Sequence, residues 1–355
     1  MMAALNLEHA IVVAGHICLD VTPGFLPAST ASLDPGTLIR VGDMHRSVGG
    51  TVANTGLALH QLGIKTRMMG RISDDLFGDE VLRLLGNISP ELSRDMIRVT
   101  GETTSYSVVI APPGVDRLFL HCPGCNDHFQ AADVKLPDDV NVRILHFGYP
   151  PVMRSIYQQD GEQLIKLFEK AHETGIATSL DMCSVDPTSE AGLLDWRQWL
   201  EHVLPHVDIF VPSLDELLYM LGENEQDISL EILQRISKQL IDWGVGVLMI
   251  KLGDYGVYLQ TASELHTIFD AQAWANVSQY CPCFKVNVVS TNGAGDYTIA
   301  GFLAAILASQ LPHHALRTAV GVGAAHVQSP DCLADWMEIQ ACISGRWETL
   351  DKTLN

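Results

Sequence analysis

Positive charge is scarce in this chain. Its 355 residues carry 22 Lys and Arg against 42 Asp and Glu, a formal charge of −20. That balance argues against nucleic acid or an anionic membrane as the main partner, since both reward clustered cations. ATP stays open, provided that the positive potential its phosphates need is local. Long apolar runs are also missing: the longest, residues 299–308, is about half the length of a bilayer-spanning helix. No basic stretch precedes an apolar one at the N-terminus, so a secretory signal is not expected and a cytoplasmic protein is. Several motifs are absent as well. Without Gly-x-x-x-x-Gly-Lys-Ser/Thr there is no P-loop, and no Gly-x-Gly-x-x-Gly follows the first expected strand, which weakens a dinucleotide dehydrogenase. Neither His-Glu-x-x-His nor Gly-x-Ser-x-Gly occurs.

Cysteine is present but poorly arranged for metal. The eight cysteines include two close pairs, Cys122/Cys125 and Cys281/Cys283. The second pair has the wrong spacing for a zinc knuckle and no His pair supports either, so reduced thiols are expected.

What is there centres on residues 286–309. A β-branched run (Val286, Val288, Val289) ends in a small polar and glycine turn, 290–295, and an Ala/Ile/Leu-rich helix is expected from about Asp296 to Ser309. Gly293 and Gly295 let the backbone turn and keep side chains away from an approaching group. The amides of Gly293, Ala294, Gly295 and Asp296 would be the open donors of a helix N-terminus, a ready anion site. Asp296 in such a place reads in two ways. It can favour the helix dipole as an ordinary first-turn acid, or accept the proton of a hydroxyl that attacks a bound phosphoryl group.

Ser-Thr-Asn-Gly-Ala-Gly-Asp followed by Ala-Gly-Phe resembles the C-terminal signature of the ribokinase-like (PfkB-type) carbohydrate kinases, usually Asp-Thr-Thr-Gly-Ala-Gly-Asp. The resemblance implies that Gly293, Ala294 and Gly295 form the anion hole and that Asp296 is the catalytic base. Ser290 stands where Asp is usual and Asn292 where Thr is usual. That leaves activation by a monovalent cation such as K+ open, without touching the base.

Other segments extend the likeness to roughly 11–325. Residues 10–19 read as a buried strand with Asp20 at its carboxyl end, the edge where open α/β sheets bind ligands. Gly49, Gly50 and Asn54 carry the pattern Gly-Gly-x-x-x-Asn ahead of a helix ending at Gly63. On the resemblance, Asp20, Gly49, Gly50 and Asn54 lie against the sugar. Asp74 and Asp75 read as capping residues. Strands at 105–111 and 117–121 around Pro-Pro-Gly read as a hairpin, and the resemblance implies that segments 22–46 and 101–125 form a small β lid.

From residue 142 onward, strands at 142–147, 177–181, 208–211 and 247–252 alternate with helices near 161–173, 193–203, 214–221 and 230–243. Such alternation argues for a parallel sheet covered on both faces. The expected fold is therefore α/β, a three-layer sandwich around a mostly parallel sheet. A kinase domain over 1–330 and a helical extension over 331–355 are expected. Strand ends carry Asp181, Ser213/Glu216 and Lys251/Gly253. By resemblance, Ser213 and Glu216 act at the nucleotide, Glu216 on Mg2+ through water. Lys251, Gly253 and Gly256 form the turn under the nucleotide phosphates, and Ala324, Ala325 and His326 border adenine.

The implied activity is ATP-dependent phosphorylation of a sugar hydroxymethyl group, with ATP and Mg2+ as cofactors and a homodimer through the lid strands. The acidic balance favours a neutral sugar over a sugar phosphate. A nucleoside kinase of the same family and a non-catalytic sugar or nucleotide sensor are the alternatives.

Overall fold

The computed structural model describes residues 8–25, 35, 36, 38–112, 118–223, 228–329, 335–352 and 354. Its first seven strands are β1 His9–Gly15, β2 Cys18–Pro23, β3 Met44–Gly49, β4 Lys65–Ser73, β5 Ile97–Val99, β6 Tyr106–Ile110 and β7 Leu118–Cys122. The remaining six are β8 Asn141–Gly148, β9 Ala177–Asp181, β10 Ile209–Phe210, β11 Val247–Lys251, β12 Val257–Thr261 and β13 Ser278–Cys281. Nine of them form one sheet in the order β13-β12-β11-β10-β9-β8-β1-β4-β5, and the other four a small sheet in the order β3-β2-β6-β7. From β5 to β11 the large sheet is parallel; β12 and β13 add an antiparallel edge.

Helices cover both faces, as the near-continuous apolar strands require. In β1 the residues alternate between two cores: Val12 and Ala14 face one, Ile11 and Val13 the other. The first core is closed by the helices Glu162–Glu173, Trp196–Val203, Leu214–Leu221 and Leu230–Asp242. The second is closed by Thr51–Gln61, Ala294–Leu307 and Pro312–Gln328. The last two approach closely at Gly301, where a Cβ would meet Val322 at 2.8 Å. Trp336, Ile339 and Ile343, from the stretch expected as a C-terminal extension, are buried in that same core.

The chain reverses its order at β1, which has β4 on one side and β8 on the other. Strand order therefore places a crevice at the carboxyl ends of β1 and β8, the usual ligand position in open α/β sheets.

Three expectations need correction. Residues 10–19 are not one strand: β1 stops at Gly15 (φ 123°), His16 N–H donates to Gly148 O at 3.2 Å, and the chain restarts as β2 in the small sheet. Asp20 accordingly lies inside β2, opposite Ser47, and not at the end of a main-sheet strand. The β-branched run 286–289 lies in a loop, with Val288 and Val289 exposed, pinned by Val289 N–H and Ser290 N–H to Val327 O. The signature helix begins at Ala294, two residues before Asp296.

Of the lid, β6 and β7 fall in the expected stretches and β3 overruns its own, from Met44 to Gly49, while 26–34, 37 and 113–117, with most of the Pro-Pro-Gly stretch, lie outside the described residues. Cys125 is buried with its thiol donating to Arg71 O at 3.2 Å, and the described cysteines are all free.

Candidate active site

Two helix N-termini converge at the crevice. Gly50, with φ 85°, caps Thr51–Gln61, and Gly293, with φ 73°, caps Ala294–Leu307. A Cβ on Gly50 would fall 2.6 Å from His16 O, so only glycine lets this turn lie against the end of β1. The turn before the second helix is shaped by its own polar atoms. His326 Nε2 meets Asn292 O at 2.5 Å, Asn292 N–H donates to Ser290 Oγ, and Ala294 N–H donates to Thr291 O at 3.2 Å. Ala294 thus spends its amide on the turn. Among the described residues, no protein acceptor partners the amides of Gly293, Gly295 and Asp296.

Asp296 is buried, and its carboxylate is held by three side chains. Asn54 Nδ2 donates to Oδ2 at 3.0 Å, Thr55 Oγ1 donates to Oδ1 at 3.3 Å, and the Tyr149 hydroxyl reaches both oxygens, at 2.9 and 2.8 Å. Burial raises the pKa of Asp296 above the ordinary carboxylate range, and the Lys251 ammonium and these donors offset only part of the rise.

Asp296 stands between two cavities. The first, about 450 Å³, is lined by Ser213, Glu216, Lys251, Gly253 and 293–296. The second, about 820 Å³, is lined by His16, Asp20, Gly50, Asn54, His121 and Arg154, among others. Tyr149, Cys183, Ser184, Gly293 and Asp296 belong to both walls.

In the larger cavity, Asp20 accepts from Cys18 Sγ at 3.2 Å, and burial raises its pKa. Gly49 does not line the cavity; it makes room for Asp20, since a Cβ there would lie 2.2 Å from Asp20 Oδ2. His16 and His121 lie with ring centroids 5.0 Å apart, and burial lowers both pKa values, which keeps them neutral.

In the smaller cavity, Glu216 and Ser213 form a reciprocal helix cap: Ser213 N–H donates to Glu216 Oε2 at 2.7 Å and Glu216 N–H to Ser213 Oγ at 3.3 Å. Lys251 is half-buried and ion-paired to Asp181 at 2.7 Å. Burial pulls its pKa down, but the carboxylates of Asp181, Glu216 and Asp296 outweigh it and keep the ammonium charged.

Gly253 (φ 59°) lines this cavity, whereas Gly256 does not. Its role is close approach: a Cβ would fall 2.1 Å from Cys281 O. Ala324, Ala325 and His326 line neither cavity; His326 instead stacks on Tyr297 at 3.6 Å and supports the 292–293 turn.

Sequence reading missed Tyr149, Thr55 and His16. Tyr149 and His16 directly follow the ends of β8 and β1, the edge rule that singled out Asp181 and Lys251.

Among the described residues, Asp181, Asp215, Glu216 and Asp296 share the smaller cavity with a single Lys. A polyphosphate would be repelled by that set unless a divalent cation came with it. The donors fit such a cation, since Mg2+ is usually carried by phosphates plus one or two carboxylates and this wall offers Glu216 and Asp215. No helix among the described residues is long and apolar enough to cross a membrane.

Comparison with known proteins gives the family and the fold. A family model described as pfkB family carbohydrate kinase matches residues 9–339. The chain is 24% identical over 296 residues to a 2-dehydro-3-deoxygluconokinase of Thermoproteus tenax, covering 82% of this chain and 83% of the other. It is 23% identical over 320 residues to a probable fructokinase-4 of Arabidopsis thaliana, covering 86% and 85%. Among solved structures, an Arabidopsis thaliana ribokinase complexed with ribose and ATP superposes with a TM-score of 0.71 at 20% identity, covering 94% of this chain and 98% of that one.

Proposed function

The chain belongs to the pfkB family of carbohydrate kinases, and from that premise we propose that it moves the γ-phosphoryl group of ATP to a hydroxymethyl group of a neutral sugar, with Asp296 as general base. The carrying observation is the buried Asp296 carboxylate at a helix N-terminus, beside free amides, on the wall shared by two cavities. The larger cavity takes the acceptor. Asp20 and Asn54 hold its hydroxyls, Gly50 allows close approach, and Gly49 leaves space for Asp20. The smaller cavity takes the nucleotide phosphates over Gly253 and near Lys251, with Ser213 in its wall and Gly256 behind it, where it lets the strand-end turn pack against Cys281. The Gly293, Gly295 and Asp296 amides face the charge that builds on the transferring group, while Ala294 fixes the turn. Mg2+ near Glu216 would neutralise phosphate charge. Ser290, which tightens the turn through Asn292, leaves a K+ site as a further measurable property.

A neutral acceptor follows from the charges. Among the described residues, Arg154 is the one Arg or Lys lining the larger cavity, and it is paired to Glu190 at 3.0 Å. Asp20, Asp127, Asp186 and Glu190 line the same wall and would repel a carboxylate or phosphate on the sugar. A cytoplasmic site of action is consistent with an ATP donor, and cell fractionation measures it. A homodimer through the small sheet is favoured by exposed Met44, Leu118 and Leu120, and sedimentation measures it.

ADP release across a panel of neutral sugars, sugar acids, sugar phosphates and nucleosides tests the reading; a protein that binds a ligand but releases no ADP is a sensor. Asp296→Asn is expected to lower turnover about 10²-fold or more with acceptor affinity retained. Equal turnover in mutant and wild type removes the base assignment.

A further inference from the structure

The Tyr149 hydroxyl takes up more of the Asp296 carboxylate than holding it in place requires. A carboxylate has roughly four lone-pair sites. Asn54 uses one on Oδ2 and Thr55 one on Oδ1, while the single phenol bridges both oxygens. With one proton to share, the phenol stands over both oxygens at once and crowds the face that an incoming hydroxyl must reach. The phenol also stands on the wall common to both cavities, where an acceptor must meet the base.

The backbone is arranged to aim it there. Tyr149 is left-handed, φ 70° and ψ 47°, a conformation that a bulky residue adopts only under constraint. Gly148 before it lies so close to Thr51 that a Cβ would be 2.4 Å from Thr51 Oγ1, and Pro150 follows. Tyr149 N–H donates to Asp181 O at 3.4 Å, and its ring lies 5.9 Å from that of His16 at 26°.

We propose that Tyr149 is a positioning residue whose hydroxyl occupies the acceptor hydroxyl's place on Asp296 until an acceptor arrives. The proposal rests on the kinase reading above. While the phenol covers the base, water in the acceptor cavity has nowhere to deliver a proton. The reaction held back is hydrolysis of ATP: the water oxygen would bond to the γ-phosphorus, the P–O bond to ADP would break, and the proton would pass to Asp296. A bound acceptor displaces the phenol and takes its hydrogen bond to the base.

Tyr149→Phe keeps the ring and removes the bridge. Release of inorganic phosphate from ATP without acceptor is expected to rise about tenfold, the shift that follows loss of a hydrogen bond to a charged group, and the acceptor KM is expected to fall. Unchanged acceptor-free phosphate release, with a raised KM or lowered kcat, overturns the proposal and leaves Tyr149 a structural residue. Should the variant not fold, wild-type crystals with acceptor decide. Tyr149 Oη beyond hydrogen-bond reach of both Asp296 oxygens supports the proposal, and an intact bridge overturns it. A wild type that phosphorylates nothing in the panel refutes the kinase reading itself. A wild type that transfers phosphate, with a variant that hydrolyses no faster, refutes only the role of Tyr149.

Discussion

Gly49→Ala separates acceptor binding from the chemistry. In the small sheet Gly49 pairs with Cys18, and its missing side chain leaves the volume that the Asp20 carboxylate fills. A methyl there would lie 2.2 Å from Asp20 Oδ2, 2.7 Å from Cγ and 2.9 Å from Oδ1, all inside van der Waals contact. The antiparallel β2–β3 ladder holds the backbone, so the short Asp20 side chain must turn away and abandon its bond from Cys18 Sγ. If that carboxylate grips an acceptor hydroxyl, losing it costs about 1.5–3 kcal/mol. The expected result is a fall of about 10- to 150-fold in kcat/KM for the acceptor, with the KM for ATP unchanged. Steady-state kinetics on Gly49→Ala, Asp20→Ala and the double mutant form the assay. Because the glycine acts through the carboxylate, the double mutant should be no worse than Asp20→Ala alone. Fully additive losses, or a Gly49→Ala effect under about twofold, would refute the link.

Three further outcomes are expected. Burial raises the Asp296 pKa, so kcat/KM should fall as pH drops through an apparent pKa above the ordinary 3.8, and a limb at or below 3.8 contradicts the buried base. Lys251→Met leaves Asp181 buried without its cation, with side-chain exposures of 13% and 1% in the pair. Chemical denaturation should show a loss of about 3 kcal/mol or more, accompanied by a raised KM for ATP. Asp75 caps the helix Leu76–Ile88 through Gly78 N–H at 2.8 Å and also accepts from Thr104 N–H and Oγ1, at 2.8 and 2.6 Å. Asp75→Ala should cost about 2 kcal/mol and lower Tm by about 5 °C, with catalysis retained.

Most of the fold was legible because the sheet is buried on both faces and its helices are amphipathic. The strand Ala177–Asp181 and the helix Leu214–Leu221 fall where periodicity put them. The same physics hid the break after Gly15. Ile17, Cys18 and Leu19 are as buried as the residues of β1, so hydrophobicity runs unbroken across a change of sheet. Only the backbone of Gly15, at φ 123°, marks the turn. The antiparallel edge of β12 and β13 escaped for the opposite reason. Ser278, Gln279 and Tyr280 are exposed or half-buried, and a connection from 262 to 277 separates the two strands with no tight-turn signal between them.

The candidate site divides along the same line between local and distant information. Gly293 to Asp296 is one contiguous turn, and its chemistry can be read in place. The groups that hold the Asp296 carboxylate cannot, since Asn54, Thr55 and Tyr149 lie 242, 241 and 147 residues away in the chain. Each is commonplace in its own segment: an Asn and a Thr early in a helix, a Tyr after a strand. Strand order is what joins them. Gly15 is in register with Gly148, and Gly148 with Asp181, so the residues that follow, His16, Tyr149 and Met182, leave the sheet along a single edge. With that order known, Tyr149 becomes a candidate without any motif, because a phenol at this edge must be either in a cavity or against a neighbouring polar group. Here it is both, and the polar group is Asp296, the proposed base.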